Sequence, residues 1–180
     1  MLYVVDKVTG VTQLGDTVYA VCDHSSVIKM FTADTLSPVG EGIDVKEVTE
    51  TRHDDYTTTD TISMREPRDI VASHHDRQLY VAEFTGNIWR VSVSDGEHTY
   101  VKWLTDLGNI TSVSVTSSHL LVVLGDRTVR QYSVTDGQLV REVLLPSYMT
   151  SVRHAAETSR DTIVLCHRGT SSESEQNAVS

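Results

Sequence analysis

An internal repeat constrains this chain more than any other feature of its sequence. The segment DRQLYVAEFTGNIWRVSVSDG (76–96) aligns without a gap on SSHLLVVLGDRTVRQYSVTDG (117–137), at an offset of 41 residues. An earlier copy, GDTVYAVCDHSSVIKMFTAD (15–34), and a shorter fourth copy, DTIVLCHRG (161–169), follow the same pattern. Segments that repeat at a fixed spacing predict structural units of one kind that pack side by side.

Each unit has the pattern of four short β-strands. In NIWRVSVSDG (87–96) the residues Ile88 and Trp89 begin two alternating series, which predicts opposite faces of a sheet. The Asp-Gly pair that ends the segment favours a tight hairpin turn. Further strands are expected before and after this core, at PRDIVAS (67–73), NITSVSVTS (109–117), EHTYVKWL (97–104) and QLVREVLL (138–145).

Four antiparallel strands in about 41 residues are typical of one blade of a β-propeller. A two-sheet sandwich also has short strands and regular turns, but it has no reason to repeat its own spacing. We therefore predict an all-β protein, a β-propeller of about four four-stranded antiparallel blades spanning residues 1–168. An insertion loop is expected at about 45–66, and a disordered polar tail at 169–180.

The length predicts an incomplete or fragmentary ring. Without the insertion and the tail, roughly 148 residues remain, or about 3.6 units, whereas a six-bladed ring needs nearly 250. The alternative is a closed four-bladed ring in which the strand Leu2–Lys7 completes the last blade.

The segment Pro67–Gly96 resembles a repeat of the NHL type found in six-bladed propellers. The similarity lies in Pro67 and Ile70, then in LYVA (79–82), and in a polar turn containing Glu83, Gly86 and Asn87. The resemblance implies a propeller like those of the tripartite-motif proteins, which are platforms for binding RNA or protein. Related six-bladed propellers include metal-dependent hydrolases such as lactonases, so the fold alone leaves the function open.

The charge is strongly acidic and unevenly distributed. The chain has 25 acidic and 15 basic residues, a formal net charge of -10, and residues 1–64 contain 11 of the acidic and only 4 of the basic groups. Such a balance disfavours electrostatic steering towards nucleic acid. There is no apolar run long enough to span a membrane and no signal-peptide pattern, which together predict a cytoplasmic protein.

The two cysteines are predicted to be reduced core thiols rather than a disulfide. In the repeat alignment Cys22 matches Glu83 and Leu124, and the fourth copy, with Ile163 at the position of Leu121, adds Cys166 to the same column. Equivalent positions of separate blades do not meet unless the ring closes on them.

Candidate binding residues are basic and aromatic positions that a propeller rim could gather. Arginines at one rim could bind phosphates and an aromatic ring could stack on a base. The alternative is that each arginine is a solvated edge group. The arginines that fall mainly at strand ends and turns are Arg68, Arg77, Arg90, Arg127, Arg130 and Arg153. The residues selected are Arg68, Arg90 and Arg130 with Trp89 and Tyr132.

Two polar clusters are weaker candidates. His53, Asp54, Asp55 and Tyr56 lie in the insertion loop and have metal-ligating side chains, but adjacent side chains on extended backbone diverge. The same objection applies to the stretch His74–Asp76, which the repeat places in a turn. We therefore predict no metal site and no cofactor. No catalytic motif such as G-x-S-x-G, a P-loop or Cys-x-x-Cys is present.

Together these observations favour a non-enzymatic interaction module that presents its blade loops to a protein partner, as a scaffold does. RNA binding through an NHL-type propeller is the first alternative, and a metal-dependent propeller hydrolase is a remote one. Neither a membrane nor a small-molecule substrate is expected.

Overall fold

A computed structural model describes residues 7–52, 57–94, 98–149, 151–158 and 162–167. This part of the chain forms sixteen β-strands and no helix, so it holds no helix that could cross a membrane. Residues 53–56 of the insertion and the expected tail at 169–180 lie outside the described residues.

The strands form three four-stranded antiparallel sheets, a hairpin inserted between the first two, and a C-terminal hairpin. The first sheet contains β1 (Val8–Leu14), β2 (Thr17–Cys22), β3 (Val27–Thr32) and β4 (Ile43–Asp44). The inserted hairpin contains β5 (Lys46–Arg52) and β6 (Thr57–Ser63). The second sheet contains β7 (Pro67–Ser73), β8 (Gln78–Glu83), β9 (Ile88–Val93) and β10 (His98–Leu104). The third sheet contains β11 (Ile110–Val115), β12 (His119–Leu124), β13 (Thr128–Ser133) and β14 (Leu139–Leu144), and the C-terminal hairpin contains β15 (Val152–Glu157) and β16 (Ile163–His167).

The inserted segment forms two paired strands, whereas its charge predicted a loop. Lys46 pairs with Ser63 and Arg52 with Thr57 in a continuous antiparallel ladder. The threonines, valine and isoleucine of this segment are β-branched residues that favour extended backbone, which explains the strands. The charged groups that suggested a solvated loop are compatible with a hairpin because a two-stranded ladder leaves side chains in water.

The hydrophobic core is divided into layers between successive sheets. Leu79 and Val81 of β8 face the first sheet, whereas Tyr80 and Ala82 face the third sheet, and all four are fully buried. The corresponding run in β12 is buried on both faces in the same way. This two-sided burial explains the continuous apolar runs, because a strand that packs between two layers has no polar face.

The first strands of the sheets form a row, with β1 against β7, β7 against β11 and β11 against β15. Gly10 makes the first of these contacts possible, because a Cβ built there would lie 2.8 Å from the backbone nitrogen of Ile70. No comparable contact joins β15 to β1 within the described part of the chain. The expected arrangement of about four units is therefore confirmed, and the ring is unclosed among the described residues. Residues 2–6 of the strand expected to complete a closed ring lie outside the described residues.

The register of the C-terminal hairpin corrects the alignment of the fourth copy. Val152 pairs with His167, just as Ile110 pairs with Leu124 in the third sheet. Ile163 therefore occupies the position of Leu120 and not that of Leu121. The shift of one residue turns Cys166 to the other face of the strand, because side chains alternate along it.

The cysteine prediction is consequently half right. Both thiols are free, and Cys22 is buried as expected, but Cys166 is exposed. The prediction of a buried thiol at Cys166 was wrong because it depended on the incorrect register.

Candidate functional site

Each of the four innermost strands, β1, β7, β11 and β15, is interrupted by a register shift near its start. The residues bypassed by the ladder occupy equivalent positions in the four units, and they are Thr9, Arg68, Thr111 and Arg153. A β-bulge changes the direction of a side chain and interrupts the strand pairing. Here it directs one residue from each unit towards a common space.

That space is a cavity of about 420 Å³, which we call the central cavity. Its walls come from all three sheets and from the C-terminal hairpin. It is lined by Lys7, Val8, Thr9, Arg68, Phe84, Asn109, Ile110, Thr111 and Arg153. Among the described residues, this lining contains three cationic side chains and no carboxylate.

Arg68 is held against the wall of this cavity by an aromatic contact. Its guanidinium carbon lies 4.3 Å from the centre of the Phe84 ring, within the range of a cation–π interaction. The Nε atom of Arg68 is buried and has no hydrogen-bond partner among the described residues. Buried donors are normally satisfied, so this one is an unused hydrogen-bonding group at the site.

Phe84 is in turn positioned by a hydrogen-bonded turn. The carboxylate of the preceding residue, Glu83, is buried and accepts hydrogen bonds from the backbone N–H of Arg65, the amide of Asn87 (2.7 Å) and the hydroxyl of Thr85 (3.3 Å). The bond between Asn87 and Glu83 gives a physical role to the acidic residue and the asparagine that the sequence placed in this turn.

The other two cations are more open to solvent. Lys7 lies 3.6 Å from the carboxylate of Asp23, but its side chain is 71% exposed, so this ion pair is weak. Arg153 is exposed and has no described carboxylate within ion-pair distance. A second cavity, of about 180 Å³, shares Arg153 and Thr111 with the first and is also lined by Arg127.

Hydrogen bonds between neighbouring inner strands hold the walls in place. The Thr9 hydroxyl donates to the carbonyl oxygen of Pro67 at 2.6 Å. Asp69 accepts hydrogen bonds from the backbone N–H groups of Ile70 (2.9 Å) and Val113 (3.0 Å). Burial raises the pKa of the Asp69 carboxyl above its usual range, although these two donors act in the opposite direction.

Solved structures show what this arrangement resembles. The chain superposes on the crystal structure of the β-propeller domain of Cps50 (Swd1) from Myceliophteria thermophila with a TM-score of 0.58 and 10% identity, covering 89% of this chain and 49% of that one. The fold is a β-propeller. The crystal structure of the computationally designed Ika4 protein gives a TM-score of 0.56 with 13% identity, over 92% of this chain and 93% of that chain.

Sequence comparisons contribute no further assignment. No family model and no curated protein matches the chain. At the identities of the two solved structures only the fold is shared. Each four-stranded sheet is thus one blade, the C-terminal hairpin is half a blade, and the central cavity lies where the inner strands of the propeller begin.

The five basic and aromatic residues selected from sequence are not brought together at one site, although Arg130 and Tyr132 contact each other. Arg68 lines the central cavity, whereas Arg130 pairs with Glu142 at 2.6 Å on neighbouring outer strands. Arg90 lies over the Trp103 ring at 5.4 Å. Trp89 is fully buried between the first and second blades, and Tyr132 is 6% exposed. This placement gives neither aromatic ring a free face to offer a base.

The histidine-containing candidates lie elsewhere or are not described. His53, Asp54, Asp55 and Tyr56 lie outside the described residues. His74 and His75 are exposed in the turn after β7, at the opposite end of that strand from the central cavity. Within the described ranges, no three histidine, cysteine or acidic side chains are grouped as metal ligands would be.

Sequence reasoning missed most of the cavity. Lys7, Asn109 and Thr111 were not considered, and Arg153 was considered as a rim arginine but not selected, because the repeat alignment was anchored on the second and third strands of each unit. The sequence nevertheless contained a pattern that marks these positions. Aligning the innermost strands from their starts would have placed the four bulge residues in one column and drawn attention to its two arginines.

Proposed function

We propose that this protein is a non-enzymatic interaction module whose central cavity and surrounding loops bind a protein partner. The observation that supports this function best is the cavity itself, because every blade contributes an equivalent residue to it. A concave site built by rigid strands at the centre of a repeat fold is where a partner can contact all the units at once. The exposed Phe84 ring adds an apolar contact at its wall.

A protein partner is favoured over RNA by the distribution of charge and aromatic groups. RNA binding needs stacking platforms and a cationic track along the backbone. The buried rings of Trp89 and Tyr132 do not provide such a platform, and the cations converge on one cavity. A chain with a net charge of -10 also repels a long polyanion.

The proposal of a non-enzymatic module draws support from the geometry of a serine–histidine–glutamate contact among the described residues. The Ser118 hydroxyl lies 3.3 Å from Nδ1 of His119, and a Glu157 oxygen lies 3.4 Å from the same nitrogen. A catalytic triad uses the two ring nitrogens separately, one for the nucleophile and one for the acid. This contact therefore has the geometry of a structural link between β12 and β15.

The cytoplasm is the proposed location, and two free thiols are compatible with a reducing compartment. Membership of the NHL class stays a prediction.

The test is quantitative capture from lysate with the immobilised chain, with and without nuclease treatment. Phe84→Ala removes the aromatic wall of the central cavity, and His75→Ala is a matched control on an exposed turn at the other end of β7. We expect proteins that remain after nuclease treatment, that are lost with Phe84→Ala and that are kept with His75→Ala. Loss of all partners on nuclease treatment, or equal capture by both variants, would contradict the proposal.

A further inference from the structure

We propose that the central cavity binds a carboxylate, namely the side chain of an aspartate or glutamate in the protein partner. This inference rests on the proposed function and adds the chemistry that the partner must present. The relevant groups are Arg68, Arg153 and Lys7, which approach the cavity from the second blade, the C-terminal half-blade and the start of the first blade.

The local charge is opposite to that of the whole chain. The protein has ten more acidic than basic residues, yet the described residues that line the central cavity are cationic, polar or apolar and include no acid. Lys7 has only the weak, exposed ion pair with Asp23, and no described carboxylate lies within ion-pair distance of Arg68 or Arg153, so the positive charge of this space is incompletely neutralised by the described residues. An anionic group placed in the cavity would neutralise more of it.

The geometry of Arg68 favours a carboxylate as that anion. A guanidinium presents donors in a planar fork that matches the two oxygens of a carboxylate, and charge-assisted hydrogen bonds are the strong ones. The Phe84 ring restricts the guanidinium, so less side-chain freedom is lost when a ligand binds. The buried Nε of Arg68 has no described partner, and an incoming carboxylate can accept its hydrogen bond.

The volume of the central cavity and the side chains that line it suit a single acidic side chain as the ligand. A volume of about 420 Å³ is within the range of pockets that hold small ligands. Asn109 and Thr111 add polar side chains to the same walls and Phe84 adds an apolar surface, which suits a short segment of peptide. The acidic surface outside the cavity disfavours a ligand with many charges but leaves one carboxylate accessible to the cationic centre.

The test is an NMR titration of the full chain labelled with ¹⁵N-arginine, followed through the arginine Nε–Hε signals at about 0.15 M salt. The probes are the peptide acetyl-Gly-Glu-Gly-amide, its glutamine counterpart and inorganic phosphate. The variants are Arg68→Gln and Arg153→Gln. Arg141→Gln, an exposed arginine on β14, is the matched control for the loss of one positive charge.

We expect the glutamate peptide to shift the Arg68 signal saturably and the glutamine peptide to leave it unchanged. Each cavity variant should weaken binding by at least about tenfold, because a charge-assisted hydrogen bond is lost, whereas Arg141→Gln should change it less than about twofold. Arg153 is exposed, so its variant tests the site even if Arg68→Gln fails to fold.

Three results would overturn the inference. They are no saturable shift, equal shifts with the glutamate and glutamine peptides, or binding of phosphate without binding of the glutamate peptide. The capture experiment distinguishes this failure from failure of the proposed function. If proteins are still captured in a Phe84-dependent manner, the module binds a protein and only the carboxylate assignment is lost.

Discussion

Asp69 joins the inner strands of the second and third blades, and replacing it with alanine tests whether this link stabilises the propeller. Its carboxylate accepts hydrogen bonds from the backbone N–H groups of Ile70 and Val113, at 2.9 and 3.0 Å. Asp69→Ala removes both bonds and leaves the Val113 donor without its partner. Leaving such a group unsatisfied costs about 1–3 kcal/mol.

The net effect also includes relief from burying the carboxylate, which is the main cause of the raised pKa of Asp69. This relief offsets part of the loss, so we expect the free energy of unfolding to fall by about 2 kcal/mol. For a chain of 180 residues, that corresponds to a decrease in Tm of about 4–8 °C.

The assay is urea unfolding followed by tryptophan fluorescence. The chain has two tryptophans, Trp89 in the core between the first two blades and Trp103 against the core between the second and third. Asp60→Ala, on the exposed face of the inserted hairpin, removes the same charge and should change stability by less than about 0.5 kcal/mol. If Asp69→Ala is no less stable than Asp60→Ala, the link between blades does not contribute as argued.

Three further predictions concern pH, packing and thiol exposure. Because burial raises the pKa of Asp69, the folded protein binds a proton at this carboxyl more readily than the unfolded chain does. The stabilisation from that proton is therefore present at pH values below 3.8, the ordinary pKa of the group, and is lost as the pH rises from there through the folded pKa. Asp69→Asn should remove that component from urea midpoints measured across acidic pH, and an unchanged pH profile would refute it. Gly10→Ala should lower the free energy of unfolding by about 1–3 kcal/mol, because the added Cβ meets the Ile70 backbone, and a calorimetric Tm equal to that of the unmodified protein would count against the close contact. Cys166 should react with a thiol reagent in the folded protein, whereas Cys22 should react only in urea, and equal rates would show that the assigned register is wrong.

The strands and their order could be predicted from the sequence because strand patterning is local. The apolar runs at 79–82 and 120–123 reflect burial on both faces that recurs at 19–22 in the first sheet, whereas β16 of the C-terminal hairpin is partly exposed. The inserted hairpin was harder to predict, since its threonines favour strands while its charges favour a loop, and only the ladder between β5 and β6 resolves the conflict.

The candidate site was less predictable because it depends on bulges. A bulge adds one residue to one strand and changes the register, but no residue type marks its position. Arg68 was found because it is basic and lies near a strand start. Arg153 was considered as another rim arginine, but the meeting of Arg68, Arg153 and Lys7 in one cavity was not predicted, because these residues are distant in sequence and come together only where the inner strands meet.

The sequence by itself determined the repeating unit, the number of strands in it and the class of fold, because these follow from spacing and from the alternation of apolar residues. Tertiary structure alone decided which side chains share the central cavity and which face Cys166 occupies. The physical reason is that alternation along a strand is a property of neighbouring residues, whereas a shared cavity depends on how separate blades pack and on the single-residue shifts at their bulges.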